Sequence, residues 1–415
     1  MSYASPEFNL SDIQSGWVVS SPSFAAMIAM FFSGKLSDKV GRRKILIYVA
    51  FLYAISALLS AFAASYEMLY IARMIGGLAF GAALVLAPMY IAEISSAKNR
   101  GKLVAIQQLN IVLGFFAAFL SNYFFTDANV WRWMLGVEFL PAILYFIALF
   151  FVPKSPRWLF LNNKIDDAKA VLNQIHGKIA AEIEIVSIEK NINQDKNTRN
   201  SSIKDLIKPS LRFIFMVGLV VGILQQITGI NAVYFYATSI FKQTGIGTDA
   251  AFSSGILLSS ITVVFTIIAM YLIDKMGRRP LLLVGTFGIA FSLLVYDGAI
   301  LEAATTINST LVLIGILGFI SCFAFSLGPV MWVLLSELYP LKYRGLAIGV
   351  IAFVNSLVSS IIQLIFPWEL SNLGNAMSFF LFGIVALIGF FIMVKIVPET
   401  KGKSLEEIEK EFVKA

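Results

Sequence analysis

Four polar side chains stand inside one apolar run: Gln225, Gln226, Thr228 and Asn231 within GILQQITGINAVYFYATSIF (222–241). An unpaired amide facing lipid is costly, so this group must face protein, a cavity or a ligand. Amides and hydroxyls offer donors and acceptors together, which suits a neutral polyol better than an ion. Asn231 shares a broad helical face with Gln225 and Gln226, and Gly229 beside Thr228 can loosen the helix, a device of broken transporter helices. Interhelical hydrogen bonding is the plainer role for such amides, but the size of the cluster favours a binding site. Gln108, with Gln107 and Asn110, and Asn355, with Gln363, place further amides in two other apolar runs. Trp332, in GPVMW, offers a flat apolar partner to a ligand ring. Arg73 is a charge just inside a third run and a functional candidate by default.

A second constellation consists of charges. GKLSDKVGRRK (34–44) matches YLIDKMGRRP (271–280), aligning Asp38 with Asp274, Gly41 with Gly277, Arg42 with Arg278 and Arg43 with Arg279. PMYIAEISSAKNRG (88–101) matches MWVLLSELYPLKYRG (331–345), and in both a glutamate precedes an Arg-Gly pair by seven positions, Glu93 to Arg100 and Glu337 to Arg344. PKSPRW (153–158) echoes PETKG (398–402). Positive charge that holds a short loop in the cytoplasm accounts for the arginines, but not for the repeated carboxylates and glycines. A glycine permits a tight turn, and a carboxylate beside a helix terminus can cap or pair. Two mirror-related sets of opposite charges at one face are therefore expected to act as a latch between the two halves that closes the inner side and opens during the cycle.

The elements that must position these residues are membrane helices. Of 415 residues 58% are hydrophobic and 14% charged, with a mean hydropathy of +0.81. A soluble domain needs far more charge, and the apolar runs are continuous rather than alternating, which excludes a barrel. Eleven such stretches are expected, at about 15–34, 45–64, 68–92, 104–125, 134–152, 211–240, 250–273, 281–302, 311–335, 345–366 and 376–397. The basic loops after the first, third, seventh and ninth stretches place those loops, the polar segment 154–207 and the C-terminus in the cytoplasm of a multi-pass cell-membrane protein. Segment 154–207 is read as short amphipathic helices with a flexible linker over 191–202, and 398–415 as a polar helical tail. Two helices precede Asp274 in the second half and one precedes Asp38 in the first. The repeat thus predicts six plus six, with the first helix of the first half missing from this chain and its N-terminus outside. Gly76 to Gly81 reads as close helix packing.

Other chemistry is excluded. Cys322 is the sole cysteine and His176 the sole histidine, so no disulfide, no metal site and no cofactor is expected, and His176 reads as a surface residue. The net charge of +7 lies beside apolar runs and is topogenic rather than a nucleic-acid footprint. No nucleophile–base pair argues for an enzyme.

Taken in order, GKLSDKVGRRK, RMIGG with PMYIAE and NRG, WRWMLG, PKSPRW, QQITGINAVYFY, DKMGRRP, GPVMWVLLSE with RG, and PETKGKSLEEIE resemble the sugar porter family of the major facilitator superfamily, from about residue 12 to 409. The resemblance implies an all-α membrane protein of two pseudo-symmetric helix bundles, 1–153 and 208–397, with 11 of 12 helices present. They are joined by the cytoplasmic helical domain 154–207 and followed by the tail 398–415. It implies alternating access by a monomer to a hexose or pentose, with or without a proton. It puts Gln108, Gln225, Gln226, Asn231, Trp332 and Asn355 at the sugar, with Thr262 where the family has an asparagine. Arg42, Arg43, Glu93, Arg100, Asp274, Arg278, Arg279, Glu337 and Arg344 fall in the charge network, with Asp38 alongside them. Arg73 matches the arginine that the family pairs with an aspartate of the first helix. Phe235 replaces a tyrosine, Ser356 a tryptophan and Lys154 a glutamate of the family pattern. A non-transporting sugar sensor and an inactive carrier lacking one helix are the alternatives.

Overall fold

The computed structural model describes residues 3–95, 100–125, 131–177, 181–182, 185, 203–243, 248–301, 309–339 and 341–401. Among them the structure is helical throughout, without a strand. In chain order the helices are α1 (Ala4–Glu7), α2 (Asp12–Val40), α3 (Arg42–Ala61), α4 (Tyr66–Ile94), α5 (Arg100–Phe124), α6 (Arg132–Gly136), α7 (Phe139–Ala148), α8 (Pro156–Leu161) and α9 (Ile165–His176). There follow α10 (Ile203–Leu206), α11 (Pro209–Ile227), α12 (Ile230–Gln243), α13 (Thr248–Met276), α14 (Arg278–Leu301), α15 (Ser309–Phe325), α16 (Leu327–Leu338), α17 (Leu341–Asn372) and α18 (Gly374–Ile396).

Nine spans among the described residues are long and apolar enough to cross a membrane, with α11 and α12 counted as one and α15 and α16 as one. Two expected stretches fall outside this number. In α5 the apolar helix found among the described residues is Leu109–Phe124, because several side chains between Arg100 and Gln108 lie outside them. The stretch 134–152 is divided into α6 and α7, with Glu138 at the junction. Large apolar side chains point outward from the helices, among them Phe151 at 84%, Tyr271 at 64% and Phe291 at 61% exposure, as a protein solvated by lipid requires.

By contacts the chain divides into two compact units, one of residues 1–20, 112–131 and 202–415, the other of 21–111 and 132–201. In the second of these, α3 and α4 pack around Leu46, Val49, Ala79, Leu86 and Tyr90. A Cβ on Gly77 or Gly81 would collide with the backbone of Pro22 or Ala26 in α2, so the glycine run is a close helix contact, as its spacing predicts. Leu159, Phe160, Ala168 and Leu172 of α8 and α9 bury one another, which gives the polar central segment the short amphipathic helices expected of it. The expected linker 191–202 and tail 402–415 lie outside the described residues. The first unit has one large core in which Tyr296, Phe319, Phe366 and Phe379 are fully buried. Its boundaries follow packing rather than chain order, so α2 and α5 each contribute residues to both units.

Candidate functional site

The amide cluster is assembled by three helices of the first unit. Helix α11 ends at Thr228, and Gly229, with φ +85°, starts α12 on a new axis. Only a residue without a Cβ adopts that angle cheaply, and the break leaves Gln225 and Gln226 before it and Asn231 after it on one side. Helix α17 brings Asn355, Ser359 and Gln363, one turn apart along one face.

Backbone carbonyls set the direction of the network. Gln225 Nε2 donates to the carbonyls of Leu327 at 2.9 Å and Gly328 at 3.2 Å, and Asn355 Nδ2 donates to that of Gly222 at 2.8 Å. A carbonyl can only accept, so both amide orientations are fixed. Gln225 Oε1 then accepts from Asn355 Nδ2 at 2.8 Å. Asn355 Oδ1 accepts from Gln226 Nε2 at 3.2 Å, and Gln226 Oε1 from Asn231 Nδ2 at 2.8 Å. The second Asn231 proton goes to Ser359 Oγ at 2.7 Å, which also accepts from Gln363 Nε2 at 2.8 Å. The chain of bonds ends at Asn231 Oδ1, which accepts no hydrogen bond among the described residues. Gln225 and Asn355 are buried, whereas Gln226 and Asn231 are half-exposed. The arrangement therefore offers an oriented acceptor at an accessible edge, anchored on a buried, satisfied base.

Trp332 is 40% exposed and one turn beyond Gly328 on α16, on the face whose carbonyl receives Gln225. Thr262 is buried on α13 and donates to Leu258 O at 2.9 Å. Its hydroxyl also meets Tyr234 Oη at 2.6 Å. Phe235 is exposed. Gln107 and Gln108 stand on α5, and their side chains, like that of Arg100, lie outside the described residues.

The two charge sets are built alike, each within its own unit. Gly41 (φ +102°) and Gly277 (φ +94°) make the turns into α3 and α14. Arg42 pairs with Asp38 at 2.7 Å and Glu93 at 3.1 Å. Arg278 pairs with Asp274 at 3.2 Å and holds Glu337 through two bonds, at 2.8 and 3.1 Å. Arg43 donates to the carbonyls of Leu149 and Phe150, and Arg279 to that of Val394. Glu93 accepts from the Ser155 hydroxyl and Glu337 from that of Thr400, so PKSPRW and PETKG are structural counterparts as well as echoes. They differ at one place. Glu399 accepts the backbone N–H groups of Arg278 and Arg279, both at 3.0 Å. Lys154 holds the matching position, and α3 has no side-chain cap. Burial alone would raise the Glu399 pKa, but the N–H groups of Lys401, Arg278, Arg279 and Thr400 outweigh it and hold the carboxyl below its usual range. Arg344 donates to Tyr339 O at 3.2 Å and acts electrostatically on Glu337.

Sequence reasoning found Arg73 but missed its neighbour. Glu138, at the junction of α6 and α7, and Tyr53 of α3 both feel the Arg73 charge. The signal was present, since a carboxylate inside the apolar stretch 134–152 is as costly as an arginine.

The family model described as "Sugar (and other) transporter" matches residues 2–412. The glucose transporter GlcP of Staphylococcus epidermidis is 36% identical over 403 residues, 97% of this chain and 90% of GlcP. The arabinose-proton symporter of Bacillus subtilis is 35% identical, covering 98% of this chain and 88% of the symporter. The inward open conformation of the xylose transporter XylE from E. coli superposes with a TM-score of 0.85 at 31% identity, covering 99% of this chain and 92% of XylE. With its amide cluster, its paired charge sets and a match along nearly its whole length, the chain belongs to the sugar transporter family, a family of carriers rather than enzymes.

Proposed function

We propose that this protein carries a hexose or pentose across the membrane by alternating access, together with a proton. The observation that carries the reading is the polarised amide network: buried carbonyls orient Gln225 and Asn355, these orient Gln226, and Asn231 Oδ1 is left to receive a hydroxyl hydrogen. A site whose accessible end accepts from a neutral donor selects a polyol over a cation or an anion. Trp332 lies under the apolar face of the ring, and Gln108 and Thr262 complete the contacts. The glucose, arabinose and xylose named for the relatives bound the candidate substrates.

Proton coupling rests on Arg73, Glu138 and Tyr53 of one unit, where the Arg73 charge acts on both of the others. Intramembrane ionisable groups of this kind are costly unless they serve a pathway. Asp38, Arg42, Arg43, Glu93 and Arg100 form one half of the inner gate, and Asp274, Arg278, Arg279, Glu337 and Arg344 the other, at the cytoplasmic end. Bundles 1–153 and 208–397 rock against each other, with 154–207 and the tail 398–415 in the cytoplasm, in a carrier that works as a monomer. Uptake of labelled glucose, xylose and arabinose into vesicles, with and without a protonophore, tests this. Accumulation that collapses with the protonophore is expected. Uptake that only equilibrates the sugar and is indifferent to the protonophore limits the protein to facilitated diffusion.

A further inference from the structure

We propose that Tyr234 is a specificity-determining residue of the sugar site, acting as a hydrogen-bond acceptor for one sugar hydroxyl. The assignment rests on the transport reading above. Tyr234 follows Asn231 by three residues on α12, so the two side chains lie on one face about 4.5 Å apart along the axis. That spacing is within reach of a single sugar ring.

The proton bookkeeping decides what Tyr234 can offer. Its Oη lies 2.6 Å from Thr262 Oγ1. Thr262 has one hydroxyl proton, and that proton goes to Leu258 O at 2.9 Å. A carbonyl cannot donate, so both contacts are hydrogen bonds at once only when Tyr234 donates to Thr262, and in that arrangement the Tyr234 oxygen keeps its lone pairs and has no proton to give. The ring is fixed as well. Phe115 stacks on it with centroids 5.4 Å apart and planes 23° from parallel, and Phe115 follows Gln108 by seven residues, two turns along α5. A hydroxyl locked by one partner and a ring locked by another lose little freedom on binding, so the acceptor is preorganised. Asn231 Oδ1 and Tyr234 Oη are thus two acceptors carried three residues apart on α12, and both require hydroxyl hydrogens from the ligand.

The rival role for Tyr234 is a hydrogen bond between α12 and α13 that only holds the helices together. The two roles differ in what a panel of sugars reads. Sugar exchange by purified protein in liposomes would be measured for wild type, Tyr234→Phe and Thr262→Val against the parent sugar and its monodeoxy and monodeoxyfluoro analogues. Tyr234→Phe is expected to weaken half-saturation for the parent sugar about five- to tenfold. At one ring position the deoxy and fluoro analogues should be weakened to the same degree as each other in wild type, because fluorine accepts but cannot donate. Those two analogues should then lose nothing further in Tyr234→Phe, since both changes remove one shared interaction. Thr262→Val frees the Tyr234 proton, so the fluoro analogue should regain affinity over the deoxy one. Thr262→Val gives an independent reading if Tyr234→Phe fails to fold. Equal losses across the whole panel in Tyr234→Phe, or an unchanged fluoro-to-deoxy ratio in Thr262→Val, overturn the assignment alone. Wild type that exchanges none of the sugars overturns the transport reading with it.

Discussion

At the scale of single residues, the amides are not interchangeable, because the network has a direction. Asn355 sits near its fixed end, donating to Gly222 O and Gln225 Oε1, and Asn231 at its open end. Asn355→Ala removes two buried hydrogen bonds, at a cost of about 1–3 kcal/mol. It should therefore lower the melting temperature of detergent-purified protein as well as uptake. An unchanged melting temperature would show that Asn355 is not structural. Gln225, Gln226, Asn231 and Asn355 were legible in the sequence because an amide in an apolar run has few explanations. Tyr234 was not, since tyrosine in a membrane helix reads as ordinary aromatic packing, and only its bond to Thr262 and the Thr262 bond to Leu258 reveal the spare acceptor. Glu138 was legible by the argument already applied to Arg73.

At the scale of elements, the repeat yields a controlled comparison between two helix starts. Helix α14 has its first N–H groups taken by Glu399, while Lys154 holds the matching sequence position and α3 has no side-chain cap. A carboxylate at a helix N-terminus stabilises by about 0.3–1 kcal/mol. Lys154→Glu should thus raise thermal stability by that order, and a lowered melting temperature would contradict the equivalence. Glu399 also sets a pH dependence. Its carboxyl is held below the usual range in the folded protein, so its contribution is complete above about pH 4 and is lost as pH falls through the folded value. The stability gap between wild type and Glu399→Gln should be constant from neutral pH down to that range and should shrink below it. A gap that widens on acidification would have the wrong sign. The turns and the break at Gly229 could be read from glycine spacing and the two charge sets from their repeat, but not that each set pairs within its own unit. The division of 134–152 into α6 and α7 could not, because hydropathy averages over Glu138 and does not see a junction.

At the scale of the molecule, one repeated plan explains most of the polar sequence. Each unit carries Asp–Arg–Glu pairing at a glycine turn, closed by a hydroxyl from the segment that follows α7 in one and α18 in the other. The amide cluster belongs to one unit alone, and Arg73 and Glu138 to the other. In the proposed symport, the groups that would take the sugar and the proton therefore lie in different units. The fold class followed from composition and run length, because lipid leaves continuous helices as the answer to such runs. How α2 and α5 divide between the units did not, since contacts between helices are not written in hydropathy. The most direct test of the account is saturable uptake of labelled sugar by liposomes containing wild type or Asn231→Ala. Wild type should show saturable uptake competed by unlabelled hexose or pentose, and Asn231→Ala should raise the half-saturation concentration about tenfold. Equal uptake by the two proteins, or no saturable uptake by wild type, would contradict it.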